Sequence, residues 1–270
     1  MSYLQYWELN AAPFACGGRK HFYRGSSVEE ALARIEFVCG QRQKLATLLA
    51  SAGVGKTSLL NYLVSNPPRQ ADRPLPRVVA ASMVGLSSGE LVQELASKLS
   101  GSRVHNSSEA WSTLSDYFSA SARTASQTLV LVDDVESSGP AAENELIRIV
   151  RAADDSHVSI VLAIESHLAS TVSCWLMERS YLQIELPAWD VRQTGEFLNY
   201  CMAVCGCSES VFTEAAVARV HALSRGTARR IVQLADLALV AGAVSRVGCI
   251  DEGIVAQVAH ELPKSHSIAA

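Results

Sequence analysis

Apolar positions fall into two patterns along the chain. Between residues 44 and 186, five short hydrophobic runs stand apart: Lys44–Ala50 (KLATLLA), Arg77–Val84 (RVVAASMV), Thr128–Val132 (TLVLV), Val158–Ile164 (VSIVLAI) and Tyr181–Leu186 (YLQIEL). Their length and near-continuous apolar character predict buried strands. The stretches between them carry apolar residues at helical spacing and predict helices over Ser58–Val64, Gly89–Leu99, Glu109–Ala122, Ala141–Ala153 and Leu168–Glu178. Strands that alternate with helices predict an α/β fold, a five-stranded parallel sheet covered on both faces. Pro187 ends this pattern. After Asp190 the chain reads as helix alone, over 190–204, 213–223, 227–242 and 250–260, so a domain boundary is expected near residue 188.

Composition narrows the class. The chain has 270 residues, of which 49% are hydrophobic and 19% charged, the balance of a compact globular protein; disorder, collagen-like repeats and coiled coil are excluded as whole-chain descriptions. Mean hydropathy is slightly positive at +0.14, yet the greasiest stretch, Leu234–Val244, is interrupted by Asp236, so no membrane insertion is expected. The opening MSYLQYWELN lacks the basic start and apolar run of a secretion signal. Seven scattered cysteines (Cys16, Cys39, Cys174, Cys201, Cys205, Cys207 and Cys249) fit reduced thiols, and a cytoplasmic location is expected.

A net charge of −4 argues against a surface built wholly to trap nucleic acid. Its distribution is uneven: residues 1–70 carry eight basic and four acidic side chains, residues 71–210 nine and 18, and residues 211–270 six and five.

The chemistry concentrates after the first strand. Ala50-Ser51-Ala52-Gly53-Val54-Gly55-Lys56-Thr57 fits a phosphate-binding loop except that Ala50 replaces the first glycine, and it lies between a strand and a helix that continues through Ser58. Successive N–H groups of such a loop, together with the positive end of the following helix, suit a β-phosphate. Lys56 would reach the β- and γ-phosphates, and Thr57 would hold Mg²⁺ through its hydroxyl. The third strand then ends in Asp133-Asp134. One carboxylate at a neighbouring strand end can bind Mg²⁺ and the next can orient or deprotonate the attacking water, roles that suit Asp133 and Asp134 in that order.

Together these motifs, the strand count and the helical tail resemble an AAA+ ATPase, a P-loop NTPase with a C-terminal all-helical lid. More narrowly the chain is similar to the general secretion pathway A (ExeA/GspA-like) type. That resemblance rests on Tyr6-Trp7-Glu8-Leu9, Pro13-Phe14, Phe22-Tyr23 and Glu30-Ala31-Leu32, on the AGVGKT loop, the VLVDD strand and the VLAIESHL segment, and on Ser224-Arg-Gly-Thr-Ala-Arg-Arg-Ile231. It implies ATP and Mg²⁺ as cofactors. It also implies that Glu165 occupies the sensor-1 position, that Arg179 matches an arginine reaching a neighbouring subunit's γ-phosphate, and that Arg229 matches the sensor-2 arginine. For Arg179 a surface pairing with Glu178 or Glu185 is the competing reading, and for Arg229 the competitor is Arg230. Phe22 and Tyr23 are candidates to cover the adenine, or plain packing residues.

The expected layout is an N-terminal segment at 1–43 near the nucleotide, a core at 44–188, a lid at 189–262 and a disordered tail at 263–270. Two departures bear on rate: Asp134 stands where the family has Glu, and Glu165 where it has Gln. A withdrawn base and an added negative charge near the γ-phosphate should both slow hydrolysis, which suggests a switch more than a motor. The resemblance implies a homo-oligomeric ring or dimer serving a secretion or envelope-assembly system, through a membrane-anchored partner protein. A DNA-associated ATPase of transposition or replication, with Arg219, Arg225, Arg229 and Arg230 as a patch, and a nucleotide-binding scaffold are the alternatives. Cys201, Cys205 and Cys207 are read as core thiols or, without a nearby His to complete four ligands, as an incomplete metal set.

Overall fold

The computed structural model describes residues 2–14, 22–69, 74–124 and 126–262; Cys16 and the tail at 263–270 lie outside them. The chain forms two compact units, one made of residues 27–187 and the other of residues 1–26 with 188–270.

The first unit is built on five strands: β1 (Leu45–Ala50), β2 (Arg77–Ser82), β3 (Thr128–Asp133), β4 (Val158–Glu165) and β5 (Leu182–Glu185). They lie in the order β2-β3-β4-β1-β5 and every pairing is parallel. Position in the sheet explains composition. β3 is buried at every residue and β4 at all but its last, because both faces of an interior parallel strand are covered. The edge strands β2 and β5 alternate instead between buried and exposed positions. Leu91, Leu95 and Leu99 of one helix, Leu114 and Phe118 of a second and Leu146 and Ile149 of a third pack with the sheet's Val130, Val132, Ile160 and Leu162 into one core.

Because the strands are in register, their C-terminal ends meet along one edge. Ala50 lies opposite Glu165, and Ser82 opposite Asp133. In open parallel sheets this edge is where ligands bind.

Helices α1 (Tyr3–Tyr6), α2 (Ser26–Gly40), α3 (Lys56–Ser65), α4 (Glu90–Ser100), α5 (Ser107–Arg123), α6 (Pro140–Ala152) and α7 (Cys174–Arg179) precede β5. Three expectations are corrected. β2 stops at Ser82 and not Val84: the Met83 N–H still bonds to the Asp133 carbonyl, after which the chain turns at Gly85 and leaves Val84 61% exposed. The helix expected over 168–178 is broken into a 3-10 turn, Ser166–Thr171, and the short α7, since Val172 is extended and buried between them. The third correction is a full helix, α2, that precedes the first strand and was not expected; it buries Val28, Ala31, Ile35, Val38 and Cys39 at helical spacing.

The second unit gathers α1 with α8 (Val191–Val204), α9 (Glu214–Ser224), α10 (Ala228–Ser245) and α11 (Glu252–Ala259). N-caps set the starts of α8, α9 and α11, with Asp190, Thr213 and Asp251 each accepting an N–H from the first turn. The N-terminal segment divides between the units. Trp7, Leu9 and Phe14 join Phe197, Leu234 and Leu239 in the helical core, where the Trp7 indole N–H donates to the Leu239 carbonyl at 2.8 Å. The Trp189 N–H donates to the carbonyl of Gly226, whose φ is +72° and where a Cβ would stand 2.0 Å from the Trp189 carbonyl oxygen. Cys201 and Cys205 are buried in this core, and among the described residues no cluster of three or more His, Cys, Asp or Glu side chains is placed to hold a metal ion. Among those residues, too, no helix is long and apolar enough to cross a membrane.

Candidate functional site

β1 ends at Ala50 and α3 begins at Lys56, so Ser51–Gly55 spans the turn between strand and helix. Gly55 caps α3 with a φ of +126°, a conformation that L side chains rarely adopt, and a Cβ built there would meet nothing within 4 Å. The open space lies beside the first N–H groups of α3, which have no partners of their own inside the helix. Val54 is buried and fastens the loop, while Ser51, Ala52, Thr57 and Ser58 are exposed.

Lys56 is only 8% exposed, and its ammonium donates to the Ala50 carbonyl at 2.9 Å. A buried ammonium with a main-chain carbonyl as its bonded partner carries a charge that an incoming phosphate can answer. The Thr57 hydroxyl donates to Asp133 Oδ2 at 2.6 Å, and the Asp134 N–H donates to Asp133 Oδ1 at 3.0 Å. Burial pushes the Asp133 carboxyl above the usual carboxylate range, with the negative charge of Asp134 acting in the same direction. The Thr57 hydroxyl, the Asp134 N–H and the Lys56 charge oppose that shift.

Asp134 adopts a left-handed conformation, φ +54° and ψ +42°, and starts a 3-10 turn at Val135–Ser137. Asp is one of the few residues that tolerate this geometry. Two residues that the pattern of motifs did not single out join the edge. The Ser82 hydroxyl, at the tip of β2, donates to Asp134 Oδ2 at 3.2 Å. His167 Nδ1 lies 3.0 Å from Glu165 Oε1 at the tip of β4. A hydroxyl or imidazole at the C-terminal end of a parallel strand was the available signal for both.

The structure therefore brings together Ala50–Ser58, Asp133, Asp134 and Glu165 on one sheet edge. Arg179 ends α7 within the same unit; it pairs with Asp154 at 2.6 Å and stacks on Trp175, in place of either Glu178 or Glu185. Arg229 belongs to the helical unit, exposed at the second residue of α10, whereas Arg230 is partly buried. Phe22 and Tyr23 belong there as well. The Tyr23 ring packs against Trp189, Phe197 and Tyr200, and its hydroxyl donates to Glu196 at 2.9 Å. Burial and that carboxylate together raise the Tyr23 pKa.

The donor set suits a nucleoside triphosphate with a hard divalent cation. A hydroxyl and a carboxylate oxygen already lie side by side, oxygen donors of the kind Mg²⁺ prefers. Open space at Gly55 and the buried Lys56 complete a cradle for phosphate.

Residues 39–172 match the AAA domain family. General secretion pathway protein A of Aeromonas hydrophila is 22% identical over 96% of this chain, which spans about half (48%) of that protein's length. Among solved structures, the Thermotoga maritima RuvB Holliday junction branch migration motor superposes with a TM-score of 0.58 at 17% identity, covering 88% of this chain and 70% of that one. The Aeropyrum pernix ORC1 protein in complex with DNA gives a TM-score of 0.67 at 16% identity, over 92% and 68% of the two chains. Drosophila ORC bound to DNA gives 0.66 at 18%, over 95% and 65%. These likenesses establish a shared fold, that of P-loop AAA+ ATPases. Residues 39–172 thus carry an AAA domain, and over nearly its whole length the chain is similar to general secretion pathway protein A.

Proposed function

We propose that the chain binds Mg-ATP at the β1–α3 loop and hydrolyses it slowly, as a nucleotide-driven switch in a secretion or envelope-assembly system. The observation that carries the reading is the buried Lys56 beside the Thr57–Asp133 pair, at the open turn around Gly55. Thr57 and Asp133 would hold Mg²⁺, whose charge, when bound, offsets the negative charge on the phosphate oxygens. Backbone N–H groups of residues 51–58 bind phosphate, and Lys56 neutralises it.

Asp134 orients the attacking water and accepts its proton. Its reach is short and Ser82 holds one of its oxygens, so its alignment is poorer than that of a longer acid and turnover is slow. Arg229 reports the γ-phosphate to the helical unit, and Arg179 acts on the site of a neighbouring subunit. Differential contact with the γ-phosphate is then what shifts the population between states. Secretion enters from the similarity to general secretion pathway protein A, with a membrane-anchored partner protein supplying the link and the chain itself in the cytoplasm.

The test is calorimetric titration with Mg-ATP and Mg-ADP, followed by turnover of purified protein. Micromolar binding that Lys56→Ala removes, with turnover well below about 1 per second, is expected. Absence of nucleotide binding, or rapid turnover typical of motors, refutes the reading. Two of the structural relatives are described as bound to DNA, which makes a DNA-associated ATPase the second reading. Turnover stimulated by duplex DNA, with affinity falling steeply between 50 and 200 mM salt, would favour it.

A further inference from the structure

Three acidic side chains share the C-terminal edge of the sheet, and each is matched by a partner from a different element. Asp133 receives Thr57, Asp134 receives Ser82, and Glu165 faces His167 Nδ1 at 3.0 Å. The third pairing has no part in the reading above. Glu165 stands opposite Ala50 in the β1–β4 register, and the Ala50 carbonyl is the acceptor of the Lys56 ammonium. Its backbone thus adjoins the floor of the phosphate loop. The Glu165 side chain is 20% exposed, so solvent only partly screens its charge.

A carboxylate in this place repels a triphosphate more than a diphosphate, because the γ-phosphate carries the additional charge. His167 sits in the 3-10 turn Ser166–Thr171, which touches β1, β4 and the turn that follows Asp134. A ring nitrogen that faces a carboxylate presents its N–H, so the contact assigns the proton to Nδ1.

We propose that His167 is a positioning residue that holds the Glu165 carboxylate and withholds its charge from the γ-phosphate, thereby setting the preference of the site for ATP over ADP. The proposal rests on nucleotide binding at Ala50–Ser58. His167→Ala frees the carboxylate and weakens a non-hydrolysable ATP analogue about three- to fivefold, the size expected of a partly exposed pair, while ADP affinity is unchanged. In a Glu165→Gln background there is no charge to hold, and the same His167→Ala change has no effect on either ligand. His167→Asn, whose amide N–H can stand in for Nδ1–H, restores the ATP preference.

The measurement is calorimetric titration of the wild type, His167→Ala, His167→Asn, Glu165→Gln and the His167→Ala/Glu165→Gln double variant with Mg-ADP and with the Mg-bound analogue. Nitrogen NMR of the free protein adds a ligand-independent readout: the His167 ring shows an Nδ1–H tautomer that shifts in Glu165→Ala, where the acceptor is removed. An ATP-to-ADP ratio unmoved by His167→Ala, an equal loss in both Glu165 backgrounds, or a ring tautomer indifferent to Glu165 overturns the proposal. Failure of the wild type to bind ADP at all overturns the nucleotide reading first, and this one with it.

Discussion

Asp133 is where the costs of the proposed site are most visible. Its carboxylate is 5% exposed and carries a charge that burial disfavours. The folded chain therefore binds that proton more tightly than the unfolded chain, whose carboxyl is ordinary. Stability contributed by this group is present at low pH and is lost as pH rises from the usual carboxylate range through the raised value. Asp133→Asn removes the charge yet keeps the contacts, since its oxygen can accept from the Asp134 N–H and its amide can donate to the Thr57 hydroxyl. In thermal unfolding without divalent cation, Asp133→Asn is expected to melt about 2–4 °C higher than wild type at neutral pH, and Mg-dependent nucleotide binding is expected to be lost. A lower melting temperature would show that the buried charge is compensated. Lys56→Ala should weaken ATP at least about tenfold in titration. Asp134→Glu lengthens the acid that Ser82 restrains and should raise turnover about tenfold in a phosphate-release assay, against a small stability cost because Glu fits the left-handed geometry less well than Asp.

Among the elements, the short turn between α9 and α10, which packs on the Trp189 backbone, is the most sensitive joint. Gly226 has no room for a Cβ against the Trp189 carbonyl, and its φ of +72° strains any L side chain. Gly226→Ala should destabilise the protein by about 2–4 kcal/mol in denaturant unfolding, whereas Gly40→Ala, at a position with open space, should be nearly neutral. The elements of the site were legible from local signals: β1, the glycine loop, α3 and β3 each carry their own pattern, and their alignment follows from parallel pairing. What local signals could not supply is equally specific. α2 hides its periodicity under small and charged residues such as Ser26, Ser27, Glu29 and Glu30. The bend at Val172 depends on that side chain being buried, which is a tertiary fact. Ser82 and His167 have partners, Asp134 and Glu165, from which they are separated in sequence or by a turn; only the register of the sheet and the path of the 3-10 turn place each pair together.

At the scale of the whole molecule, the role proposed for Arg179 has a direct measurement. If Arg179 completes a neighbour's site, specific ATPase activity falls on dilution in step with the oligomer seen by light scattering. Arg179→Ala then lowers turnover with little change in the ATP affinity of the isolated chain. Activity that stays constant down to a monomer removes the claim. The strand order carries a further consequence, for how the protein is made. β1 is flanked by β4 and β5, the last two strands to emerge from the ribosome, while β2, β3 and β4 form a run of sheet neighbours along which assembly can proceed. Until residue 165 is synthesised, β1 has two open edges and its glycine loop lacks the strand that pairs with Ala50. Nascent chains that stop before β4 should be protease-sensitive and aggregation-prone, and the capacity to hold phosphate should arrive late in synthesis, as a single step, when β4 closes the gap between β1 and β3.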